Sequence, residues 1–285
     1  MADAQIWLVT GASRGLGLGI VKAALKAGHT VVACYRSSKA KTSPAFAEVE
    51  SLGGSWLELD LVADNVEFQV KSVIAKYGRI DVLINNGGYG VLSSVEDMPL
   101  ADIHAIFNTN VFGTIRTIQA ALPSMRERKE GTIVNISSAS GIGGTPALAV
   151  YSATKFAIEG LTETLQAEVA PFNIRVIMAE PSSMATDMIE GSGSSYRLPI
   201  SDAYKDTVIG QIYSWMGGAQ HHTTASDPNK VGQRVVEAID GTGFMAGRQI
   251  DLRVPLGSEA GHQIETRSKV FGELAKNMKD VWESV

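Results

Sequence analysis

Cysteine is almost missing from this chain of 285 residues: Cys34 stands alone, which excludes an intrachain disulfide and a thiolate metal cluster. Charge is sparse too. Asp, Glu, Lys and Arg make up 19% of residues, the formal net charge is −5 and there is no basic cluster, so neither nucleic acid nor an anionic membrane surface is an expected partner. No apolar run approaches the roughly 20 residues of a membrane span. The first strand-like run begins at residue 5, so no leader and a cytoplasmic location are the expectation. The histidines show no metal-ligand spacing, so no metal is expected; adjacent His221 and His222 would point to different faces of any regular element and read as an exposed loop pair. Cys34 reads as a small buried residue at a strand end. Internal repeats and low-complexity tracts are also missing.

What is present is apolar content, at 45%, enough at this length to bury a full core in one α/β domain. Short apolar runs alternate with helical patterns. Strands are predicted at 5–10, 30–35, 55–59, 81–85, 131–137, 174–179 and 248–252, and helices at 15–27, 64–77, 101–128, 151–170 and 228–240. That alternation predicts a Rossmann-type, doubly wound parallel sheet covered by helices on both faces. Such a sheet binds its ligand at the carboxyl ends of its strands. The glycine turn after the first strand, Asn85, Ser138 and Pro181 all fall just past predicted strands, on that one rim.

Two segments carry chemistry. In Tyr151-Ser-Ala-Thr-Lys155 a phenol and an ammonium lie one helical turn apart on a shared face. A nearby cation favours the phenolate, so the pair suits proton transfer to or from an alcohol or ketone oxygen. Spacing alone proves little, because Tyr35 and Lys39 share it in a Ser-rich loop. The second segment, Thr10-Gly-Ala-Ser-Arg-Gly-Leu-Gly17, follows the apolar run Ile6-Trp7-Leu8-Val9 and opens a helix. Strand, glycine turn and helix N-terminus make the order in which backbone N–H groups and a partial positive charge meet a pyrophosphate.

With both segments in place, and with Asn85-Asn86-Gly87-Gly88, Asn110 and Ser138 between them in order, the chain resembles the short-chain dehydrogenase/reductase family from about residue 5 to 255. It looks closest to the branch of 17β-hydroxysteroid and retinol dehydrogenase-like members, through Glu180-Pro181 and Val254-Pro-Leu-Gly-Ser-Glu-Ala260. The resemblance implies a catalytic tetrad. Tyr151 would be the acid/base, and Ser138 would bind the substrate oxygen. Lys155 would bind the nicotinamide ribose and lower the tyrosine pKa, and Asn110 would hold a relay water. It also implies that the cofactor is held by Thr10, Gly11, Ser13, Arg14, Gly15, Leu16, Gly17, Tyr35, Arg36, Asp60, Leu61, Asn86, Gly87, Tyr151, Lys155, Pro181 and Thr186. At the end of the second strand, where an NAD-binding relative would place an acid on the adenosine ribose, the chain has Tyr35 and then Arg36. With Arg14 in addition, the expected cofactor is NADP(H).

Two departures stand out: Gly87 where the family has Ala, and Ser182 where it has the Gly of Pro-Gly. Residues 182–227 read as a substrate lid, with Met184, Met188, Ile189, Tyr196, Leu198, Ile212, Tyr213, Trp215 and Met216 pointing either to a lipophilic ligand or to simple packing. Residues 256–285 read as a helical extension whose stripe of Val270, Phe271, Leu274, Met278, Val281, Trp282 and Val285 should be buried, on its own domain or against a neighbour. The expectation is an NADP(H)-dependent oxidoreductase for the carbonyl or alcohol of a small, largely apolar molecule, assembled as a homodimer or homotetramer. The alternatives are a non-catalytic NADP-binding regulator or scaffold and an enzyme of dehydration or isomerisation.

Overall fold

Runs of aliphatic residues that alternate between two cores build the sheet. In β1 (Ile6–Val9), Trp7 and Val9 face the helices Gly15–Lys26 and Pro228–Asp240, and Leu8 faces Val66–Tyr77, Gly113–Arg128 and Ala149–Val169. The computed structural model describes residues 4–184, 195–216 and 225–285. Among these, β1 joins β2 (Thr30–Tyr35), β3 (Ser55–Glu58) and β4 (Val82–Asn85) in one seven-stranded, wholly parallel sheet. A short β5 (Gly90–Leu92) follows, then β6 (Gly131–Ile136), β7 (Ile174–Pro181), the short β8 (Ser195–Arg197) and β9 (Arg253–Leu256). The sheet order is β3-β2-β1-β4-β6-β7-β9, with helices on both faces, the Rossmann-type arrangement. The order reverses between β1 and β4, so the crevice opens at their carboxyl ends.

Four of the predicted helices form within two residues of their expected bounds. The predicted helix at 101–128 is instead broken into Leu100–Phe107, a π turn over Asn108–Phe112, and Gly113–Arg128. A π turn is a local irregularity that often marks a functional site, and Asn110 lies within it. The last strand is displaced as well: the ladder runs over Arg253–Leu256, not 248–252. Ile250, Leu252, Val254 and Leu256 continue one alternation, so periodicity alone could not set the register. Pro255 is tolerated because β9 is an edge strand. The helix Pro44–Ser51 and the parallel pairing of β5 with β8 were not predicted.

Polar side chains pin this frame from inside. Thr117 Oγ1 donates to Asn85 Oδ1 (2.6 Å), Asn85 Nδ2 to Asn135 Oδ1 (2.8 Å) and Asn135 Nδ2 to Thr162 Oγ1 (3.0 Å), all buried. The chain of bonds fastens two helices to β4 and β6. Cys34 is fully buried, and burial pushes its thiol far up, so it is inert. For the apolar stripe expected to be buried on its own domain or against a neighbour, the first alternative is corrected. Of the helix Ser258–Asn277 only Ala260 is buried, and Val270, Phe271 and Leu274 on it, with Met278, Val281 and Trp282 just past it, are 42–59% exposed. Its apolar stripe is thus not packed on its own chain.

Beneath the active-site rim lies a cluster of charge. Arg253 of β9 donates to Glu159 and Glu163, on the helix that carries Tyr151, and to the fully buried Glu180 of β7. Ser137 Oγ donates to Glu159. Burial and the neighbouring Glu159 carboxylate push Glu180 up to about 7, with Arg253 opposing them. A folded-state value above the ordinary carboxylate range means that the folded protein holds this proton more tightly than the unfolded chain. The resulting stability is complete in acid and is lost as pH rises through about 7. Melting curves recorded between about pH 4.5 and 8.5 should therefore show this contribution lowering Tm up to about pH 7 and levelling off above it, and Glu180→Gln should flatten that fall. An unchanged slope in the variant would show that the proton is not there.

Candidate active site

The glycine turn is built by contact as much as by flexibility. Gly11 and Gly15 take φ of +63° and +54°, and a Cβ on Gly17 would sit 2.4 Å from the Gly11 carbonyl oxygen. Thr10 Oγ1 donates to the Ile84 carbonyl (3.2 Å) and accepts from the N–H groups of Asn86 (3.0 Å) and Gly87 (2.9 Å). Asn86 Nδ2 returns bonds to the carbonyls of Thr10 (3.0 Å) and Gly11 (3.1 Å). Thr10 and Gly17 thus shape the turn, while Gly11, Ser13, Arg14, Gly15 and Leu16 line the cavity. The helix behind it begins without a side-chain cap and without an acid in its first turn, as an anion at its N-terminus requires.

From this turn a cavity of about 1090 Å³ runs along the sheet rim, at the upper end of the roughly 300–1,000 Å³ usual for ligand pockets. Arg36, Glu58, Asp60 and Leu61 line one end. Asn86, Gly87 and Gly88 form its floor, and Ser138, Tyr151, Lys155, Pro181 and Ser182 line the other end. A methyl at Gly87, where the family has Ala, would lie 2.6 Å from Leu61 Cδ1, a side-chain end that would have to turn aside.

At the second end Tyr151 is buried, and the nearby Ser138 hydroxyl favours its ionised form. Ser138 Oγ also accepts the Ser140 N–H (3.1 Å), which caps the short helix Ala139–Ile142 and fixes the hydroxyl. Lys155 Nζ donates to the Ile136 carbonyl (2.8 Å) and lies 5.6 Å from the centre of the Tyr151 ring. Burial pushes Tyr151 up to about 12, against the lowering effect of Ser138, and the Glu259 carboxylate raises it further. Burial lowers Lys155 to about 8, opposed by Glu159. Burial dominates in this frame, so at neutral pH the phenol keeps its proton beside the Lys155 ammonium expected to favour its ionised form.

Tyr35 changes an expectation, and Asn110 gains a bracing role beside its expected one. Tyr35 does not line this cavity: its ring packs edge-on against Phe46 and Trp56, and its hydroxyl donates to Glu58 (3.3 Å). Asn110 is braced rather than open. Its Oδ1 accepts the Tyr89 N–H (3.0 Å) and its Nδ2 donates to the Tyr89 carbonyl (2.8 Å) and Thr154 Oγ1 (3.1 Å). The side chain fixes the loop after β4 to the helix of Tyr151, a bracing role that the expectation of a relay water did not include. Thr186, Met188, Ile189, His221 and His222 lie outside the described residues.

The comparisons agree with this geometry. The sequence profile described as short chain dehydrogenase matches residues 5–196. The chain belongs to the short-chain dehydrogenase family. Relatives of this short-chain dehydrogenase include oxidoreductase claN of Passalora fulva, 40% identical over 207 residues, spanning 72% of this chain and 93% of that one. Retinol dehydrogenase 8 of Bos taurus is 33% identical over 252 residues, spanning 84% and 79% of the two chains. A crystal structure of a short-chain dehydrogenase from Streptomyces avermitilis superposes with a TM-score of 0.86 at 32% identity, covering 100% of this chain and 99% of its own.

In this short-chain dehydrogenase the described residues of the expected lid divide by place. Met184 and Met216 line the cavity with Leu92 and Leu148. Leu198, Ile212 and Tyr213 instead pack on a cluster that contains Val91, Ile106 and Tyr151, and Trp215 is 43% exposed. Sequence reasoning missed Glu58, Leu148 and Glu259 as cavity residues. Leu148, the N-cap of the helix that carries Tyr151 and three residues before it, could have been found from helical spacing; Glu259 lies in the segment that carries the branch resemblance, and Glu58 carries no local signal. Among the described residues no His, Cys, Asp or Glu cluster could hold a metal ion, and no helix is long and apolar enough to cross a membrane.

The family implies a nicotinamide dinucleotide, and the residues present fit one. A glycine cradle that side chains would fill and an uncapped helix N-terminus suit its pyrophosphate. Arg14, Arg36 and Asp60 could hold the adenosine half, and Lys155 and Pro181 the nicotinamide half.

Proposed function

We propose that this enzyme is an NADP(H)-dependent reductase of a ketone or aldehyde on a largely apolar small molecule, with the alcohol oxidation as its reverse. The observation that carries the reading is Tyr151 set beside Ser138 and Lys155 in one cavity walled by Leu92, Leu148, Met184 and Met216, where burial favours the protonated phenol. A bound nicotinamide nucleotide supplies the hydride. Ser138 and Tyr151 donate to the carbonyl oxygen, fixing its position and stabilising the charge that develops there. Tyr151 then transfers its proton to that oxygen, and Lys155 offsets the negative charge left on the phenolate. A phenol that keeps its proton at neutral pH suits reduction better than oxidation. Retinol dehydrogenase 8, a relative named for a lipophilic alcohol, is consistent with the apolar walls.

Preference for the 2′-phosphate form is supported by Arg14 and Arg36 at the adenosine end and by the absence of an acid at position 35. Glu58 lines the same end, yet its carboxylate accepts the Tyr35 hydroxyl. Tyr35 thus serves cofactor choice by engaging that acid rather than by touching the ligand.

Tyr151→Phe should cut turnover by about 10²–10⁴-fold while NADPH binding and the melting temperature stay near wild type. Kinetics equal to wild type would refute the assignment. A guanidinium on a phosphate contributes roughly 1.5–3 kcal/mol, so Arg36→Ala should weaken NADPH by about 10- to 100-fold and leave NADH almost untouched. Fluorescence titrations of both nucleotides check this, and equal losses would contradict it.

A further inference from the structure

The C-terminal helix reaches the reaction end of the cavity through its first turn. Gly257, with φ of +106°, turns the chain out of β9, and Glu259 follows in the first turn of Ser258–Asn277. The segment after β7 is stitched to this turn by three bonds. The Ser182 N–H donates to the Leu256 carbonyl (2.8 Å), the Ala260 N–H to Ser182 Oγ (3.0 Å) and the Ser183 N–H to Glu259 Oε2 (3.0 Å). This accounts for the serine that replaces the family's glycine at 182, because its hydroxyl caps the helix. Further along, Arg267 Nε donates to the Ile142 carbonyl (3.1 Å), holding the helix on the turn that carries Ser138. Ser182, Ser183, Met184 and Glu259 all line the cavity that contains Ser138 and Tyr151.

We propose that Glu259 is a positioning residue of the reaction: it ties the segment Ser182–Met184 to the C-terminal helix and sets a fixed negative charge in the cavity that holds the Tyr151 phenol. Position 259 lies beyond the residues matched by the family profile, which end at 196. The charged and titratable groups around that phenol come from every side. Lys155 and, one turn further, Glu159 lie on its own helix, Tyr89 on the loop after β4, and Glu259 on the C-terminal helix, while the Ser138 hydroxyl comes from the end of β6. The other charged residues of the cavity, Arg14, Arg36, Glu58 and Asp60, belong to its opposite end. Of the carboxylates, Glu259 is the one that disfavours the phenolate directly. Its effect is to keep the proton available for donation to higher pH. Removal of a negative charge beside the phenol favours the phenolate and lowers the value at which Tyr151 gives up its proton.

Two readouts separate position from charge in the full-length protein. The first is amide hydrogen exchange at Ser183, which does not involve turnover. Glu259→Ala removes the acceptor and should speed exchange there by more than about 10-fold, whereas Glu259→Gln keeps an acceptor oxygen and should leave most of the protection. Equal Ser183 protection in wild type and Glu259→Ala would overturn the positioning role. The second is the pH profile of NADPH-dependent reduction of 9,10-phenanthrenequinone, and this arm rests on the reductase reading. Glu259→Gln should move the basic limb to lower pH, where half a unit is roughly a 3-fold loss in the protonated fraction, and Glu259→Asp should restore it. A limb unmoved in Glu259→Gln would overturn the electrostatic role. If the wild type reduces neither this probe nor any other carbonyl, the failure belongs to the reductase reading, and the Ser183 exchange still decides whether Glu259 positions the loop.

Discussion

A phenol and an ammonium held out of water one helical turn apart are the constraint on which the rest of the structure depends. Burial works against both charged forms, raising Tyr151 to about 12 and lowering Lys155 to about 8. The frame must therefore supply partners. The Ile136 carbonyl and the charge of Glu159 steady the lysine, and Ser138 holds the phenol. Each of these is fixed in turn, Glu159 by Ser137 and Arg253 and Ser138 by the turn that it caps.

The cofactor end obeys a different logic, that of close approach. Gly11 and Gly17 lie where a Cβ would strike backbone, Gly87 Cα and the Gly11 carbonyl oxygen respectively. The Thr10 hydroxyl and the Asn86 amide then stitch β1 to β4 across the point where strand order reverses. Between the two ends, the π turn that carries Asn110 interrupts a helix so that the amide can brace the loop after β4. Irregular backbone here is a consequence of two regular elements meeting at one rim.

Much of this was legible in the sequence because it is local. A glycine turn between strand and helix, and a tyrosine four residues before a lysine, declare themselves through spacing, and the two-residue alternation of the strands set the sheet. What spacing cannot show is which distant residues meet. Glu180 and Arg253 find one another only because β7 and β9 are neighbours, and Glu259 reaches the site only because Ser182 caps its helix. Tyr35 was assigned to the cofactor because its place at a strand end matched, yet its side chain turns to Phe46 and Trp56 from elements further along the chain. The last strand was misplaced for a related reason, since one alternation runs unbroken from Ile250 to Leu256 and only pairing with β7 chooses its register.

The central claim is that a proton from this cavity and a hydride from NADPH are delivered together to a carbonyl. Its most direct test is stoichiometry. Purified protein is incubated with NADPH and a panel of lipophilic ketones and aldehydes, and alcohol formed is compared with NADPH consumed. The account predicts equal amounts of the two, with the Tyr151 hydroxyl required for both. Product formed without net consumption of NADPH, or tight nucleotide binding with no turnover of any carbonyl, would contradict it.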